Sequence, residues 1–108
     1  MYKIERTDPG NVFNFVLLAK HGHTILKSHG FDSVEAVKQT IESVKNNALN
    51  MSRYERKTTA DGKFYFHLTS GSGTVLGKSQ MYSSEAGMEN GILAVKTNAN
   101  TQQIELPF

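Results

Sequence analysis

Apolar and polar residues alternate along several short stretches of the chain, and each stretch predicts a half-buried strand. Tyr2 and Ile4 alternate with Lys3 and Glu5. Between Val12 and Ala19, Phe13, Phe15 and Leu17 fall on one face, and Val12, Asn14, Val16 and Leu18 on the other. Asp8-Pro9-Gly10-Asn11 supplies a turn between these two strands. Lys20-His21-Gly22-His23 is a second turn, leading to a third strand from Thr24 to Ser28. The period then changes. Val34, Val37, Ile41, Val44 and Ala48 recur at spacings of three and four, which makes one apolar stripe of a helix with Lys38, Glu42 and Lys45 on its wet side. Asp32, with Glu35 three positions on, predicts the N-cap and a capping box.

The second half repeats this plan. Strands are expected at Arg53–Thr58, Lys63–Thr69 and Thr74–Ser79, with turns at Asp61-Gly62 and Ser70-Gly71-Ser72-Gly73. Ser83 is the expected cap of a helix whose stripe is Met88, Ile92, Val95 and Ala99. In the tail, Ile104, Leu106 and Phe108 alternate with Gln103 and Glu105; Pro107 puts this last strand at an edge or ends it. Sliding the chain by 51 residues, without a gap, superposes Phe13-x-Phe15-x-Leu17 on Phe64-x-Phe66-x-Leu68. Gly22 then meets Gly73, Lys27-Ser28 meets Lys78-Ser79, Phe31 meets Tyr82, and Val44-Lys45 meets Val95-Lys96. The expected fold is α+β: two tandem βββα repeats, residues 1–50 and 51–108, in a single domain. One antiparallel sheet would carry both helices on the face that holds the phenylalanines. A unit near 50 residues buries too little surface to stand alone, so the copies should share a core.

Composition narrows the chemistry. The 108 residues contain no cysteine, which excludes a disulfide scaffold, a thiol nucleophile and a cysteine zinc site. A formal charge of +2 is too small to imply nucleic acid by itself. The first residues carry no signal-peptide pattern and no apolar run reaches membrane-spanning length. The expectation is a soluble, cytoplasmic protein, monomeric or dimeric, with no membrane association.

At Phe64-Tyr65-Phe66-His67-Leu68, Gly73, Ser79-Gln80-Met81-Tyr82-Ser83-Ser84, Gly91-Ile92, Val95 and Asn98, the chain resembles the YegP-like family of small bacterial proteins. The first copy carries the resemblance through Phe13-Asn14-Phe15-Val16-Leu17, Gly22, Ser28, Phe31, Ile41, Val44 and Asn47. The resemblance covers nearly the whole chain, including the spacing between copies. It implies a continuous sheet in which the strand after each helix crosses to the other half. The family is functionally uncharacterised, so it supplies a fold and no catalytic residues. The chain departs from it in having His21 and Ser72 where an asparagine is usual before the turn glycine. It also has Phe31 where the second copy has Tyr82, which leaves Tyr82 alone to carry any role of a tyrosine hydroxyl.

Five groups of residues bear on function. His21, His23 and His29 are near enough in sequence to be considered as metal ligands, but Ser72, Thr74 and Gln80 stand at the matching places, so the fold does not call for histidine there. Ser28 and Ser79 lack a base present in both copies, and bonding to backbone where strand gives way to helix explains them better than nucleophilic catalysis. Asn47 and Asn98 read as helix C-terminal residues that tolerate the left-handed region. Arg53, Tyr54, Arg56, Lys57, Lys63, Tyr65 and His67 form the stretch richest in cations and aromatics. Within it, Lys63, Tyr65 and His67 share the face opposite Phe64 and Phe66, where bases and phosphates could be met. The matching first-copy face, Val12, Val16 and Leu18 with Asn14, is apolar enough to suggest a protein partner. The leading reading is a non-enzymatic binding or protein-interaction module that uses a sheet face or edge, without a cofactor. The alternative is weak single-stranded nucleic-acid binding by the second-copy face. A metal-binding or enzymatic role ranks third.

Overall fold

The computed structural model describes residues 1–7 and 10–108. Asp8 and Pro9, half of the first expected turn, lie outside the described residues. In chain order the elements are β1 (Tyr2–Thr7), β2 (Val12–Leu18), β3 (Thr24–Lys27), α1 (Val34–Asn47), a 3₁₀ turn (Met51–Arg53), β4 (Tyr54–Thr58), β5 (Phe64–Thr69), β6 (Val75–Lys78), α2 (Glu85–Asn98) and β7 (Ile104–Glu105). The strands form one seven-stranded sheet in the order β4-β5-β6-β3-β2-β1-β7. The two repeats therefore meet where β3 pairs antiparallel with β6, and that central seam has Lys27 opposite Lys78 as its one aligned pair.

The strand after each helix does cross to the other half. β4 follows α1 and pairs with β5; β7 follows α2 and joins the β1 side. The two crossings end differently. The place beside β5 was open to β4, whereas the matching place beside β2 is held by β1. The tail accordingly adds outside β1 and runs parallel to it, with Tyr2 N donating to Gln103 O at 2.9 Å. This corrects the expectation of a purely antiparallel sheet. It also shortens the expected tail strand to Ile104–Glu105, ahead of Leu106, Pro107 and Phe108.

One core joins both copies on one face of the sheet. Phe15, Leu17, Phe66 and Leu68 are fully buried there, packed with Val37, Ile41 and Val44 of α1 and Ile92 and Val95 of α2. Each helix straddles the seam: α1 packs on β2, β5 and β6, and α2 on β5, β3 and β2. Space at the seam is tight. A Cβ at Gly77 would stand 2.7 Å from Leu26 Cγ, so one leucine fills what two side chains would otherwise contest.

The helix caps differ from the sequence reading. Ser33 and Ser84, not Asp32 and Ser83, cap α1 and α2: their side chains accept from Ala36 N at 3.1 Å and Gly87 N at 3.0 Å. Those N–H groups are three residues on, the reach a capping serine has. With Ala36 and Gly87 at that position, neither helix has a capping box. At the other end, Ala48 and Ala99 continue in right-handed conformation, and no non-glycine residue among those described has positive φ. Asn47 and Asn98 thus stay helical, and their side-chain amides donate to Ser43 O and Ala94 O at 2.8 Å.

Two tyrosines fasten these helix ends. Tyr54 Oη donates to Ala48 O at 2.6 Å, and Tyr2 Oη donates to Ala99 O at 2.6 Å. Each ring also sits edge-on against its repeat's central phenylalanine, Tyr2 on Phe15 and Tyr54 on Phe66. Burial, with Glu42 adding to it at Tyr2, pushes both phenols well above the usual tyrosine range, so both remain neutral donors. Tyr2→Phe or Tyr54→Phe should each cost about 1–3 kcal/mol, because a buried carbonyl loses its partner. Urea denaturation of the two variants measures it, and similar losses are expected from both.

The Tyr82 hydroxyl also has a structural place. It lies against α2 where a Cβ at Gly91 would come within 2.2 Å of it; in the first copy Phe31 and Thr40 take these positions. Gly91→Ala should destabilise by about 1–3 kcal/mol through overpacking, in spite of a propensity gain of about 1 kcal/mol. Adding Tyr82→Phe should recover part of the loss in the same denaturation assay.

Candidate functional site

The face of the sheet away from the helices is open, and strand register decides what it presents. From one edge to the other, Glu55, His67, Lys78, Lys27, Val16, Lys3 and Glu105 are aligned across successive strands. Partners so aligned share a face. The row has carboxylates at both ends and two lysines side by side at the seam. Like charges directly opposite one another are unfavourable.

This register rests on two matching bulges. It shifts between Leu17 and Leu18 opposite β3, and between Leu68 and Thr69 opposite β6. Ile25 and Leu76 are the extra residues, so both enter the core, and Leu26 and Gly77 follow on the helix side. Lys27 and Lys78 are thereby turned outward.

Beside the two lysines is a concavity of about 370 Å³ lined by Lys27, Ser28, His29, His67, Lys78 and Ser79, among others. Lys78 Nζ stands 4.8 Å from the centroid of the Tyr65 ring, a cation–π arrangement that holds the ammonium over the open face. Tyr65 and His67 stack edge-on at 5.6 Å. His67 Nδ1 is 3.8 Å from Glu55 Oε1. Burial lowers the His67 pKa below the ordinary imidazole value; Lys57 and Lys78 lower it further, and Glu55 opposes them. That direction favours the neutral imidazole at neutral pH.

The serines are occupied. Ser28 Oγ accepts from Phe15 N at 3.0 Å and donates to His29 O at 2.9 Å; Ser79 Oγ accepts from Phe66 N at 2.9 Å and donates to Gln80 O at 2.8 Å. Both complete the backbone where strand gives way to the helix approach, as their sequence positions suggested.

The other sequence candidates are scattered. His21 and His23 are exposed on the β2–β3 turn, at the opposite end of β3 from His29, which stacks on Phe31 with centroids 4.4 Å apart. Among the described residues no three histidine, aspartate or glutamate side chains come together to hold a metal ion. The cationic stretch is split between faces. Tyr54 is core, Arg56 pairs with Glu89 of α2 through two bonds of 2.5 and 2.9 Å, and Arg53 Nε donates to Asn47 Oδ1 at 3.1 Å. Lys63 is exposed just ahead of β5, and Lys57, aligned with Tyr65 on the neighbouring strand, shares the open face with Tyr65 and His67.

The first-copy face is not a free apolar patch. Val16 is only 5% exposed, between the aligned positions of Lys3 and Lys27. Asn14 beside it is also buried, with Nδ2 donating to Glu5 Oε1 at 3.3 Å. Val12 and half-buried Leu18 remain at opposite ends of β2. Lys27 and Lys78 are what the sequence reading left out of the site. The signal was there, since lysine stands at both places in the repeat, but only the register puts them opposite each other.

The fold and this face define a two-repeat α+β domain with one helix-covered and one open sheet face. The chain belongs to the family described as domain of unknown function DUF1508, whose model matches it twice, over residues 8–55 and 60–105. It is 41% identical to the UPF0339 protein YegP of Escherichia coli K12 over 95 residues, covering 88% of this chain and 86% of that one. It is 42% identical over 92 residues to the UPF0339 protein in the ptx operon 5′ region of Stutzerimonas stutzeri, covering 85% and 83%. The solution NMR structure of YegP from E. coli, described as a protein of unknown function, superposes with a TM-score of 0.91 at 37% identity, covering 97% of this chain and 90% of that one. Two family repeats and an α+β fold with a mostly antiparallel sheet are thus established, and the family's function is uncharacterised. No helix of the described residues is long and apolar enough to cross a membrane.

Proposed function

We propose that this protein is a cytoplasmic, non-enzymatic binding module that works through the open face of its sheet. The observation that carries the reading is the concavity at the seam, with Lys27 and Lys78 opposed beside it and Tyr65 and His67 next to them. A module built only for stability gains nothing from like charges aligned on neighbouring strands. Engagement of both serine hydroxyls with backbone favours binding over nucleophilic catalysis, even though His67 and Glu55 are neighbours.

The nucleic-acid alternative draws on Lys63, Tyr65 and His67. Against it, the Tyr65 ring already carries Lys78, and Glu55 closes the row on that side. Amide chemical-shift mapping separates these possibilities. A panel of small anions, neutral sugars and a short single-stranded RNA is titrated into labelled protein at low salt. Shifts should concentrate on β3, β5 and β6. Shifts confined to α1 and α2, or to the β4 edge, would overturn the open-face reading.

A further inference from the structure

We propose that the seam cradle binds a compact, doubly charged oxyanion: phosphate, or the phosphate monoester of a small molecule. The proposal rests on the open-face reading and specifies its ligand. Its ground is the juxtaposition of two exposed lysines, one from each repeat, aligned across the sole paired position of the β3–β6 seam and bordering a concavity of about 370 Å³. That volume suits a small molecule.

Charge along the row sets the ligand's size. Cations occupy the middle, at Lys27 and Lys78, with neutral His67 beside them. Glu55 lies one strand beyond His67, and on the other side Lys3 and then Glu105 follow Val16. With strands roughly 4.8 Å apart, the attractive zone at the seam is about two strand spacings wide before an acidic side chain is met toward β4. An extended polyanion lying across the strands would run onto Glu55. A single oxyanion at the seam would have a lysine on each of the two strands that flank it, with the nearest carboxylate of the row, Glu55, two strands beyond Lys78.

Two further features fit the same ligand. Tyr65 is a positioning residue: its ring holds the Lys78 ammonium at a fixed place above the face, so less side-chain freedom is lost when an anion arrives. His67 is kept neutral by its surroundings and can donate one ring N–H to an oxyanion oxygen without adding a third like charge to the empty site. A dianion also relieves the lysine–lysine repulsion, so the empty site is held at a cost that binding removes.

The test uses the whole chain and inorganic phosphate. Thermal melts at pH 7.5 are recorded in sodium phosphate and in sodium chloride of equal ionic strength, for the wild type, Lys27→Gln, Lys78→Gln and the double variant. At ten times the dissociation constant, phosphate should raise the wild-type melting temperature by roughly 5–10 °C over chloride, saturably. The double variant should show no difference between the salts and, in dilute chloride, should melt no lower than the wild type. A single-stranded oligonucleotide and a small phosphate monoester form two further arms. Stabilisation by the monoester beyond that by phosphate assigns the site to a phosphorylated metabolite; stabilisation by the oligonucleotide alone overturns the proposal in favour of a polymer. Equal phosphate effects in wild type and double variant, or none in either, also overturn it. A neutral ligand that maps to β3, β5 and β6 would sink the anion and leave the open-face reading standing.

Discussion

Phe66→Ala should lower the free energy of unfolding by about 3–5 kcal/mol, a large part of what a domain of this size possesses. Phe66 is fully buried at the centre of the face that both helices cover, and the Tyr54 ring rests edge-on against it. Its loss leaves a cavity beneath α2 and loosens the tyrosine that holds the end of α1. Phe15→Ala should behave alike, through Tyr2 and the end of α2. His67, the next residue along β5 but on the other face, should be nearly silent: His67→Ala is expected within about 0.5 kcal/mol of the wild type, in keeping with surface substitutions. Equilibrium denaturation of the three variants tests the facing of the sheet directly.

A chain ending at Asn50 should not form a stable monomer. It would keep β1, β2, β3 and α1, but α1 buries its stripe partly against β5 and β6, which would be gone. Tyr2 would lose its acceptor at Ala99, and the seam edge of β3 would be left unpaired. The fragment is expected to be unfolded, or to dimerise so that a second copy supplies the missing half. Analytical ultracentrifugation with circular dichroism reads the outcome; a monomer that melts cooperatively would contradict the shared core.

Side-chain periodicity made the large features legible. The Phe-x-Phe-x-Leu pairs and both helix stripes are core as read, because alternation and the 3.6-residue period report burial directly. The repeat held more than was taken from it. Serine stands at both 33 and 84, whereas Asp32 is matched by Ser83, and the position conserved between copies is the one that caps. Tyr2 and Tyr54 escaped because they are 52 residues apart: the first hairpin has one residue more than the second. The tail's parallel pairing follows from competition for one place beside β2, which no local pattern encodes. The cross-sheet row was hidden for the same kind of reason. Alternation says which residues share a face, but bulges at Leu17/Leu18 and Leu68/Thr69 decide which of them stand side by side. Val16 is on the open side as read, and its burial there depends on the long side chains aligned with it on both neighbouring strands, which alternation alone does not report.

The titration of His67 by NMR, with and without phosphate, tests the open-face cradle most directly. His67 is flanked by Glu55 and Lys57 from β4, Lys78 from β6 and the Tyr65 ring on its own strand. In the free protein its midpoint should lie below the ordinary imidazole value of about 6.5, since burial and the two lysines outweigh Glu55. A folded-state pKa below the unfolded one also means that this group subtracts stability as pH falls through that range. An oxyanion between Lys27 and Lys78 favours the imidazolium, so saturating phosphate should move the midpoint upward relative to chloride of equal ionic strength. A His67 midpoint that stays in place under phosphate, or shifts no more than it does in chloride of equal ionic strength, would contradict the account.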